Sequence, residues 1–358
     1  MTLSLWVKSG VFPREIALYR RLIQRGVGVS FVTYGSKKDL AYRDQLSGIN
    51  LICNRWRLPN SLYIRLLYNF LPMSLSKTAV VKSNQVLGAD VAMRAARRFG
   101  RPFIARCGYL QSEIVELDYG KDSLQSHEAQ DLERIVFNGA DRVVITTDRI
   151  QQKIISNYQV PRDRVRVIPN YVDTDLFCPN LQITRIPNRV CFIGRLVPVK
   201  NLMALLDGCA GLDIELVIVG GGSQEKMLKD RAAQIGLSAH FLGNLSNELL
   251  PDILNSATAF ILPSLTEGHP KSLMEAMSCG LPVIGTDVPG ILDVLKHRET
   301  GFLCGTNSGD IRAALQEVLG DPSLRQRLGV NARQEVLDKY SLDRVVELEI
   351  NLLQEFHI

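Results

Sequence analysis

The chain has 358 residues, of which 46% are hydrophobic and 22% are charged. This length and composition indicate about two globular domains and exclude disordered, collagen-like, coiled-coil and disulfide-framed proteins. The seven cysteines stand singly, without a CxxC pair or a histidine cluster, so we expect reduced thiols and no zinc site. Residues 1–166 hold 26 Lys/Arg and 14 Asp/Glu, a net charge of +12, whereas residues 167–358 hold 16 and 23, a net charge of −7.

The positive first half predicts an anionic partner. Its densest basic segment is residues 55–65, where arginines alternate with aromatic and aliphatic side chains. This pattern is typical of a membrane interface, but it equally suits a core helix with a solvated basic face. No helix-turn-helix, RNP or zinc signature occurs, so nucleic acid is not an expected partner. Because the sequence has neither a signal-peptide pattern nor a membrane-spanning apolar run, we expect a cytoplasmic protein, peripheral at the inner membrane face.

The first half alternates β-branched runs with helical runs, which predicts a parallel sheet with crossover helices. Apolar residues at helical spacing predict a helix around residues 16–23 that Gly26 ends, and further helices over 88–99 and 124–137. The predicted strands are residues 3–7, 29–33, 79–82, 103–106, 142–146 and 165–168.

The second half repeats this alternation after a proline-containing linker, residues 169–189. The predicted strands are residues 190–193, 215–219, 240–242, 258–261 and 282–284, and the predicted helices are 202–208, 224–235, 246–255, 271–278 and the chain from about 323 onward. We therefore expect one doubly wound domain over residues 1–168, a second over 169–340, and a terminal helix over 341–358. Open α/β sheets bind ligands at the carboxyl ends of their strands.

The first segment with recognisable chemistry is residues 192–201, where a buried strand is expected to end at Gly194 and a helix to begin near Lys200. Glycine lets the backbone approach an anion, Arg195 offers a forked donor and Lys200 a compact charge, so this junction suits a diphosphate. An ordinary basic loop is the alternative. The glycine run at 219–223 fits a phosphate loop or a tight turn, but it is neither a Walker A motif nor a dinucleotide fingerprint.

The most informative segment is residues 262–285, where Glu267 and Glu275 stand eight positions apart. A strand is expected to end near residue 262, and a proline at a helix start needs no amide partner. Amides of the intervening loop would face one side, and a carboxylate there can bind two sugar hydroxyls. Alternatively, Glu267 caps the helix and Glu275 forms a structural ion pair. The loop and helix start between them contain Gly268, His269, Pro270 and Lys271.

The two glutamates in this setting resemble the Glu-x7-Glu motif of the large retaining glycosyltransferase family four, also called group 1. The resemblance extends over residues 165–305, because segments 168–177, 192–196, 217–222, 241–243 and 267–280 occur in family order. In the first half it rests on the β-α pattern and on residues 9–15, Ser-Gly-Val-Phe-Pro-Arg-Glu. The family implies the GT-B fold, an α/β architecture of two Rossmann-like doubly wound domains facing each other across a cleft, with a last helix that crosses back to the first domain.

The resemblance also implies a site for a nucleoside diphosphate sugar as co-substrate, with no other cofactor and no metal. Glu275 would bind the ribose hydroxyls, and Glu267 would contact the transferred sugar. Glu267, Arg195 and Lys200 are implied as catalytic residues. The other donor contacts implied are the backbone at Gly10 and Gly194, the base-side loop at Gly243 and Asn244, and the segment Gly268, His269, Pro270 and Lys271.

Fixed cations and amides stabilise the negative charge that builds on a departing diphosphate, so these residue types suit sugar transfer without a metal. The resemblance implies transfer with retention of the anomeric configuration. We therefore predict a retaining, metal-independent hexosyltransferase of cell-envelope, polysaccharide or glycolipid biosynthesis, acting on a hydroxyl acceptor. The basic first half suggests a lipid-linked glycan as that acceptor and an anionic membrane surface as partner. Two alternatives stay open: a sugar-phosphate synthase on the same fold, and a non-catalytic protein that binds sugar nucleotides or glycans.

Two further positions have competing interpretations. Asp173-Thr-Asp175 resembles a metal-binding triplet, but it falls in the family's interdomain segment, so we expect no metal there. Many family members have a histidine after the strand expected at 103–106, where this chain has Arg106-Cys107-Gly108. Arg106 either replaces that histidine as an acceptor or sugar contact or forms a salt bridge.

Overall fold

A computed structural model describes residues 2–70 and 78–356, which divide into two compact units. Unit 1 consists of Met1–Ser4, Tyr19–Asn170 and Val345–Ile358, and unit 2 consists of Leu5–Leu18 and Tyr171–Arg344. Each unit has its own buried apolar core. Both units are assembled from segments that are far apart in sequence.

Unit 1 contains two parallel sheets. In the smaller one, β1 (Ser30–Val32) pairs with β2 (Asn50–Ile52). The larger one has the order β3-β4-β5-β6, and its strands are β3 (Val81–Lys82), β4 (Phe103–Cys107), β5 (Arg142–Ile145) and β6 (Val165–Val167). These strands follow the predicted positions, and β4 is buried along most of its length.

Among the described residues, seven helices precede, separate or follow these strands along the chain. Ser123 caps α6 and Thr147 caps α7, since each side chain accepts an amide three residues further on. Gly26, with φ of +89°, ends α2 in the left-handed conformation that glycine adopts without strain. The seven helices are α1 (Leu3–Lys8), α2 (Phe12–Gln24), α3 (Asn60–Phe70), α4 (Ala89–Arg98), α5 (Gln111–Tyr119), α6 (Leu124–Gly139) and α7 (Asp148–Tyr158).

Unit 2 contains one six-stranded parallel sheet with the order β12-β11-β10-β7-β8-β9. Its first strand, β7, lies in the middle; the chain then adds β8 and β9 on one side and β10 to β12 on the other. Every paired strand is parallel, which confirms the predicted doubly wound α/β class. The strands are β7 (Arg189–Ile193), β8 (Glu215–Val219), β9 (Ser238–Gly243), β10 (Ala259–Leu262), β11 (Val283–Thr286) and β12 (Phe302–Cys304).

The helices that follow these strands complete the βα alternation. The last of them, α14, begins among unit 2 residues, and from Val345 onward its residues belong to unit 1. None of the described helices is long and apolar enough to cross a bilayer. The helices are α8 (Leu202–Cys209), α9 (Glu225–Gln234), α10 (Leu250–Ser256), α11 (Lys271–Ser278), α12 (Ser308–Gly320), α13 (Pro322–Lys339) and α14 (Leu342–Gln354).

The prediction of a strand over residues 3–7 was wrong, because this segment forms helix α1. The Asp39 carboxylate accepts hydrogen bonds from the amides of Leu3 and Ser4, at 3.2 and 3.3 Å, and so satisfies the first turn of the helix. A short apolar run does not distinguish strand from helix, and the residue that decides the outcome lies 36 positions away.

Smaller differences affect several other segments. The predicted helix over 246–255 begins as a 3-10 turn, Asn247–Leu249, before α10 starts with Pro251 in its first turn. The strands β2 and β12 were not predicted, because each is only three residues long and lacks clear alternation. The helices α5, α7 and α12 were not predicted either.

The residues of α14 in unit 1 are fixed to its larger sheet by ion pairs. Lys82 Nζ lies 2.5 Å from Glu349 Oε2, and the Glu355 carboxylate contacts Arg142 and Arg166 at 2.5 and 2.7 Å. Burial lowers the pKa of Lys82, and Glu349 opposes that shift. Hydrogen bonds from Arg166 and Arg142 hold the pKa of Glu355 below its usual value.

Candidate functional site

Most of the predicted site residues of unit 2 lie at or after the carboxyl ends of β7, β9 and β10, and Glu275 lies on α11, the helix that follows β10. β7 and β10 are neighbours in the sheet, but the chain leaves β7 towards β8 and reaches β10 only after β9. The loops after β7 and β10 therefore meet at the point where the strand order reverses, which is where open parallel sheets bind ligands. The Leu265 amide joins these loops by donating to the Val199 carbonyl at 2.8 Å.

An ion pair crosses this switch point. Lys200, at the end of the 3-10 turn Pro198–Lys200, contacts Glu267 Oε1, and the Ser264 hydroxyl donates to the same oxygen at 2.7 Å. The two charged side chains are only 15% and 11% exposed. The structure thus brings together two of the three residues predicted to be catalytic. Glu267 does not cap α11, whose first turn has no side-chain cap.

The strand ends of β7, β8 and β9 pack backbone against backbone. The Gly194 amide donates to Val219 O at 3.0 Å, and the Gly220 amide donates to Gly243 O at 2.8 Å. Gly220 has a φ of +129°, and a Cβ atom there would overlap the Gly194 carbonyl, so only glycine fits. Arg195 and Asn244 follow these turns as exposed residues. Arg195 makes no ion pair with the part of the chain that the structure describes.

Gly10 packs against the loop that follows β9. Its φ is +72°, and a Cβ atom at this position would stand 2.5 Å from the carbonyl oxygen of Leu245. The Asn247 amide donates to Gly10 O at 3.3 Å. This contact exists because Leu5–Leu18 belongs to unit 2. Gly10 thus contacts Leu245, which directly follows Asn244 in the chain.

Glu275 is a buried carboxylate on α11, with 1% of the residue exposed. Its Oε1 accepts a hydrogen bond from Arg14 Nη1 at 3.3 Å, whereas its Oε2 is buried without a hydrogen-bond partner among the described residues. Burial by itself disfavours the charged guanidinium, but the carboxylates of Glu275 and Glu15 hold the pKa of Arg14 above its usual value. A buried acceptor without a donor lowers the stability of the folded protein. A ligand hydroxyl that donates to Oε2 would remove this cost.

A second ion pair lies beside the first turn of α11. Lys271 Nζ is 2.8 Å from Glu15 Oε1 and 5.2 Å from the centre of the Tyr171 ring. The Tyr171 hydroxyl donates to the Arg14 carbonyl and accepts the Leu18 amide at 3.3 Å. Arg14, Glu15 and Tyr171 were not predicted as site residues. One feature of the sequence could have indicated Arg14 and Glu15. They follow Gly10 by four and five residues, and their charges are opposite to those of Glu275 and Lys271, respectively.

The remaining predicted residues occupy well-defined positions. The buried His269 ring packs edge-on against Tyr340 at 5.2 Å, and Pro270 directly precedes α11. Gly290 has a φ of +86° and touches the backbone of Glu267 and Gly268, which fixes the course of that loop. The Arg106 side chain donates to Asn170 Oδ1 at 3.1 Å in unit 1.

Asp173 has a local structural role. Its Oδ1 accepts the amides of Asp175 and Leu176, both at 3.3 Å, in a turn that leads into the buried Phe177. Within the two described stretches of chain, no cluster of three His, Cys, Asp or Glu residues is arranged to hold a metal ion.

Comparison with known families matches both halves of the chain. Residues 179–335 match the family described as "Glycosyl transferases group 1", and residues 15–176 match "Glycosyltransferase Family 4". The uncharacterized glycosyltransferase MJ1607 of Methanocaldococcus jannaschii is 26% identical over 70% of this chain and 66% of its own length. The D-inositol 3-phosphate glycosyltransferase of Gordonia bronchialis is 26% identical over 75% of this chain and 64% of its own length. The matches thus span just under two thirds of these relatives.

Among solved structures, Anabaena HepE in complex with UDP and glucose has a TM-score of 0.78 to this chain. The two proteins are 16% identical, and the alignment covers 95% of this chain and 94% of HepE. At this identity the likeness concerns the fold, and it assigns both parallel-sheet units to the same GT-B architecture as HepE.

Proposed function

Since the chain belongs to the group 1 glycosyltransferase family, we propose that it transfers a sugar from a nucleoside diphosphate sugar to a hydroxyl acceptor. The observation that carries this proposal is Glu275, a buried carboxylate with one oxygen on Arg14 and the other without a donor. A ribose diol supplies the missing donors. The complex of HepE with UDP and glucose supports a donor of this class.

In the proposed donor complex, each residue type has a separate task. Arg195 and Lys200 neutralise the diphosphate, and the close-packed turns at Gly194 and Gly220 allow phosphate oxygens to approach the backbone. An ammonium group has three N–H donors, so Lys200 can keep its contact with Glu267 while it binds phosphate. Glu267 then orients a hydroxyl of the transferred sugar. The base lies against Gly243 and Asn244, and the His269–Lys271 amides contact the sugar.

The proposed chemistry follows from this arrangement of charge. The bond from the anomeric carbon to the phosphate oxygen breaks, leaving positive charge on the sugar and negative charge on the nucleoside diphosphate. Arg195, Lys200 and the loop amides stabilise the leaving group, so we propose turnover without a divalent metal. The acceptor oxygen attacks the same face, and its proton passes to the departing phosphate, so the anomeric configuration is retained.

For the acceptor we propose a hydroxyl of a lipid-linked or envelope glycan at the cytoplasmic face of a membrane. The net charge of +12 over residues 1–166 supports an anionic acceptor environment. A sugar-phosphate synthase would use the same donor site, so identifying the acceptor separates these two activities.

The donor proposal is tested by incubating the purified chain with uridine, guanosine and adenosine diphosphate sugars in the presence of EDTA. We expect one of them to release its nucleoside diphosphate. The same diphosphate should raise the Tm of the protein, because a ligand that binds the folded state stabilises it. If no donor turns over and no nucleoside diphosphate raises the Tm, the chain is a non-catalytic protein.

The assignment of individual residues is tested by three variants. Lys200→Ala and Arg195→Ala should each reduce turnover by more than ~100-fold, as expected for loss of a charge-stabilising donor. Glu275→Gln should chiefly weaken nucleotide binding. The control is Glu299→Gln, since this side chain is 69% exposed and lies outside the site. Kinetics near wild type in all three variants would mean that the donor binds elsewhere.

A further inference from the structure

The basic segment at residues 55–65 has two sides in the structure. Tyr63 and Leu67 of α3 are buried, with 3% and 7% exposure, and pack with Tyr34 and Ile52. This buried side fits the interpretation of the segment as a core helix. The other side is exposed, and we name it the Trp56 surface; it consists of Arg55, Trp56, Arg57, Leu62 and Arg65.

A closed turn presents the tryptophan of this surface. The buried Asn54 side chain donates to the Leu58 carbonyl at 2.7 Å and accepts the Leu58 amide at 3.0 Å. The Arg57 amide donates to Asn54 O at 3.2 Å, and Arg57 adopts a left-handed φ of +55°. Trp56 at the tip is 73% exposed. The turn thus holds a large apolar ring in solvent by specific hydrogen bonds.

Leu62 and Arg65 extend this surface along α3. They are three positions apart on one helix face, and Leu62 is 43% exposed. The Trp56 surface therefore combines an aromatic and an aliphatic side chain with three arginines. Arginine can cover apolar surface with its stem while its guanidinium reaches phosphate.

The sequence around the Trp56 surface carries charge of one sign. Residues 45–89 contain five Lys/Arg and no Asp/Glu. A second exposed apolar group, around Leu117 and Tyr119 of α5, is 65% and 62% exposed but follows Glu113 and Glu116 in sequence. The two groups are alike in exposure and differ in the charge of the residues beside them in sequence, so they make a natural internal comparison.

We propose that the Trp56 surface docks on an anionic phospholipid bilayer. Trp56 and Leu62 enter the boundary between headgroups and acyl chains, where amphipathic indole rings prefer to lie, and the arginines contact lipid phosphates. Single-stranded nucleic acid also combines stacking with phosphate contacts, but the aliphatic Leu62 beside the tryptophan favours the bilayer. This inference goes beyond sugar transfer and does not depend on it.

The test is sedimentation of the full chain with phosphatidylcholine vesicles that contain or lack phosphatidylglycerol. Polybasic attraction contributes about 1 kcal/mol per residue, so Arg55→Gln with Arg57→Gln should weaken binding to anionic vesicles roughly 30-fold. Trp56→Ala should weaken it by at least about tenfold. Binding should fall as salt is raised. Leu117→Ala is the control and should bind like the wild type.

A spectroscopic measurement locates the contact. The chain has two tryptophans, Trp6 and Trp56, so we expect a blue shift of emission on anionic vesicles that Trp56→Phe abolishes while binding persists. Equal binding to both kinds of vesicle, or equal losses in Leu117→Ala, would overturn the proposal. Binding of polyuridine without binding of vesicles would assign the surface to nucleic acid. No donor is present in these assays, so their outcome is separate from that of the turnover assay.

Discussion

Arg14 links the segment Leu5–Leu18 to the predicted ribose-binding carboxylate. Its guanidinium contacts Glu275 at 3.3 Å, and its carbonyl accepts the Tyr171 hydroxyl. The pair leaves one carboxylate oxygen of Glu275 available and fixes the other. We therefore expect Arg14 to act as a positioning residue, which in the proposed donor complex orients Glu275 without contacting the donor's reacting atoms itself.

The variant Arg14→Gln should lose both stability and nucleotide affinity. Glu275 would remain buried without its cation, and breaking such a pair destabilises by about 3–5 kcal/mol, with the lower figure expected because Arg14 is 22% exposed. Denaturant unfolding followed by Trp6 in a Trp56→Phe background measures the first effect, and titration with the nucleoside diphosphate measures the second.

Arg14→Lys keeps a charge at this position and is the matched control. It should recover most of the stability but only part of the affinity, because a lysine cannot reproduce the fixed guanidinium geometry. Full affinity in Arg14→Gln would show that Glu275 needs no orientation by this residue.

At the scale of elements, the sequence predicted those features that depend on neighbours in the chain. Helix α11 has the predicted bounds, and five of the six strands of unit 2 fall within about two residues of their predicted positions, because continuous apolar runs mark buried parallel strands. Helix α1 was missed because its cap, Asp39, is distant in sequence. The ion pair between Arg14 and Glu275 was missed for the same reason, since 261 positions separate the two residues.

Glu355 gives the attachment of α14 a dependence on pH. Its pKa is lowered by Arg166 and Arg142, whereas a glutamate in the unfolded chain titrates near about 4.3. The unfolded chain therefore takes up the proton first as the pH falls. The stabilisation from these pairs is fully present above the unfolded pKa and is lost as the pH falls through the lowered folded value.

This dependence is measured by the Tm of the wild type and of Glu355→Gln over a range of pH. The difference in Tm should be constant above about pH 5 and should shrink below about pH 4. Glu128→Gln, an exposed position on α6, should follow the wild-type profile throughout. A difference between wild type and Glu355→Gln that persists unchanged in acid would contradict the assignment.

At the scale of the whole molecule, Val345–Ile358 supplies unit 1 with the carboxylates of Glu349 and Glu355, which pair with basic side chains of its sheet. Without them Lys82 loses Glu349, and the arginines of β5 and β6 lose Glu355. A chain that ends at Arg344 should therefore be weakened in unit 1 and little changed in unit 2. The Lys82 side chain is 20% exposed, so loss of its partner should cost about 3 kcal/mol, the lower end of the range for buried pairs, which corresponds to a roughly 100-fold loss of amide protection.

Hydrogen exchange followed by mass spectrometry measures this difference within one sample. Peptides that contain β3 to β6 should exchange faster in the shortened chain, whereas those with β7 to β12 should keep their protection. Glu349→Gln alone should reproduce part of the effect. Equal acceleration across both units would contradict the separate roles assigned to them.

The division of unit 2 into Leu5–Leu18 and Tyr171–Arg344 also affects the order of events during synthesis. At about 5–20 residues per second, the 261 residues between Arg14 and Glu275 take roughly 13–50 s to translate. Throughout this interval Phe12 and Ile16, which are buried in the folded protein, have no completed unit 2 to join. The segment made early therefore stays without its packing partners until the rest of unit 2 has been made, and Arg14 meets Glu275 only after this interval.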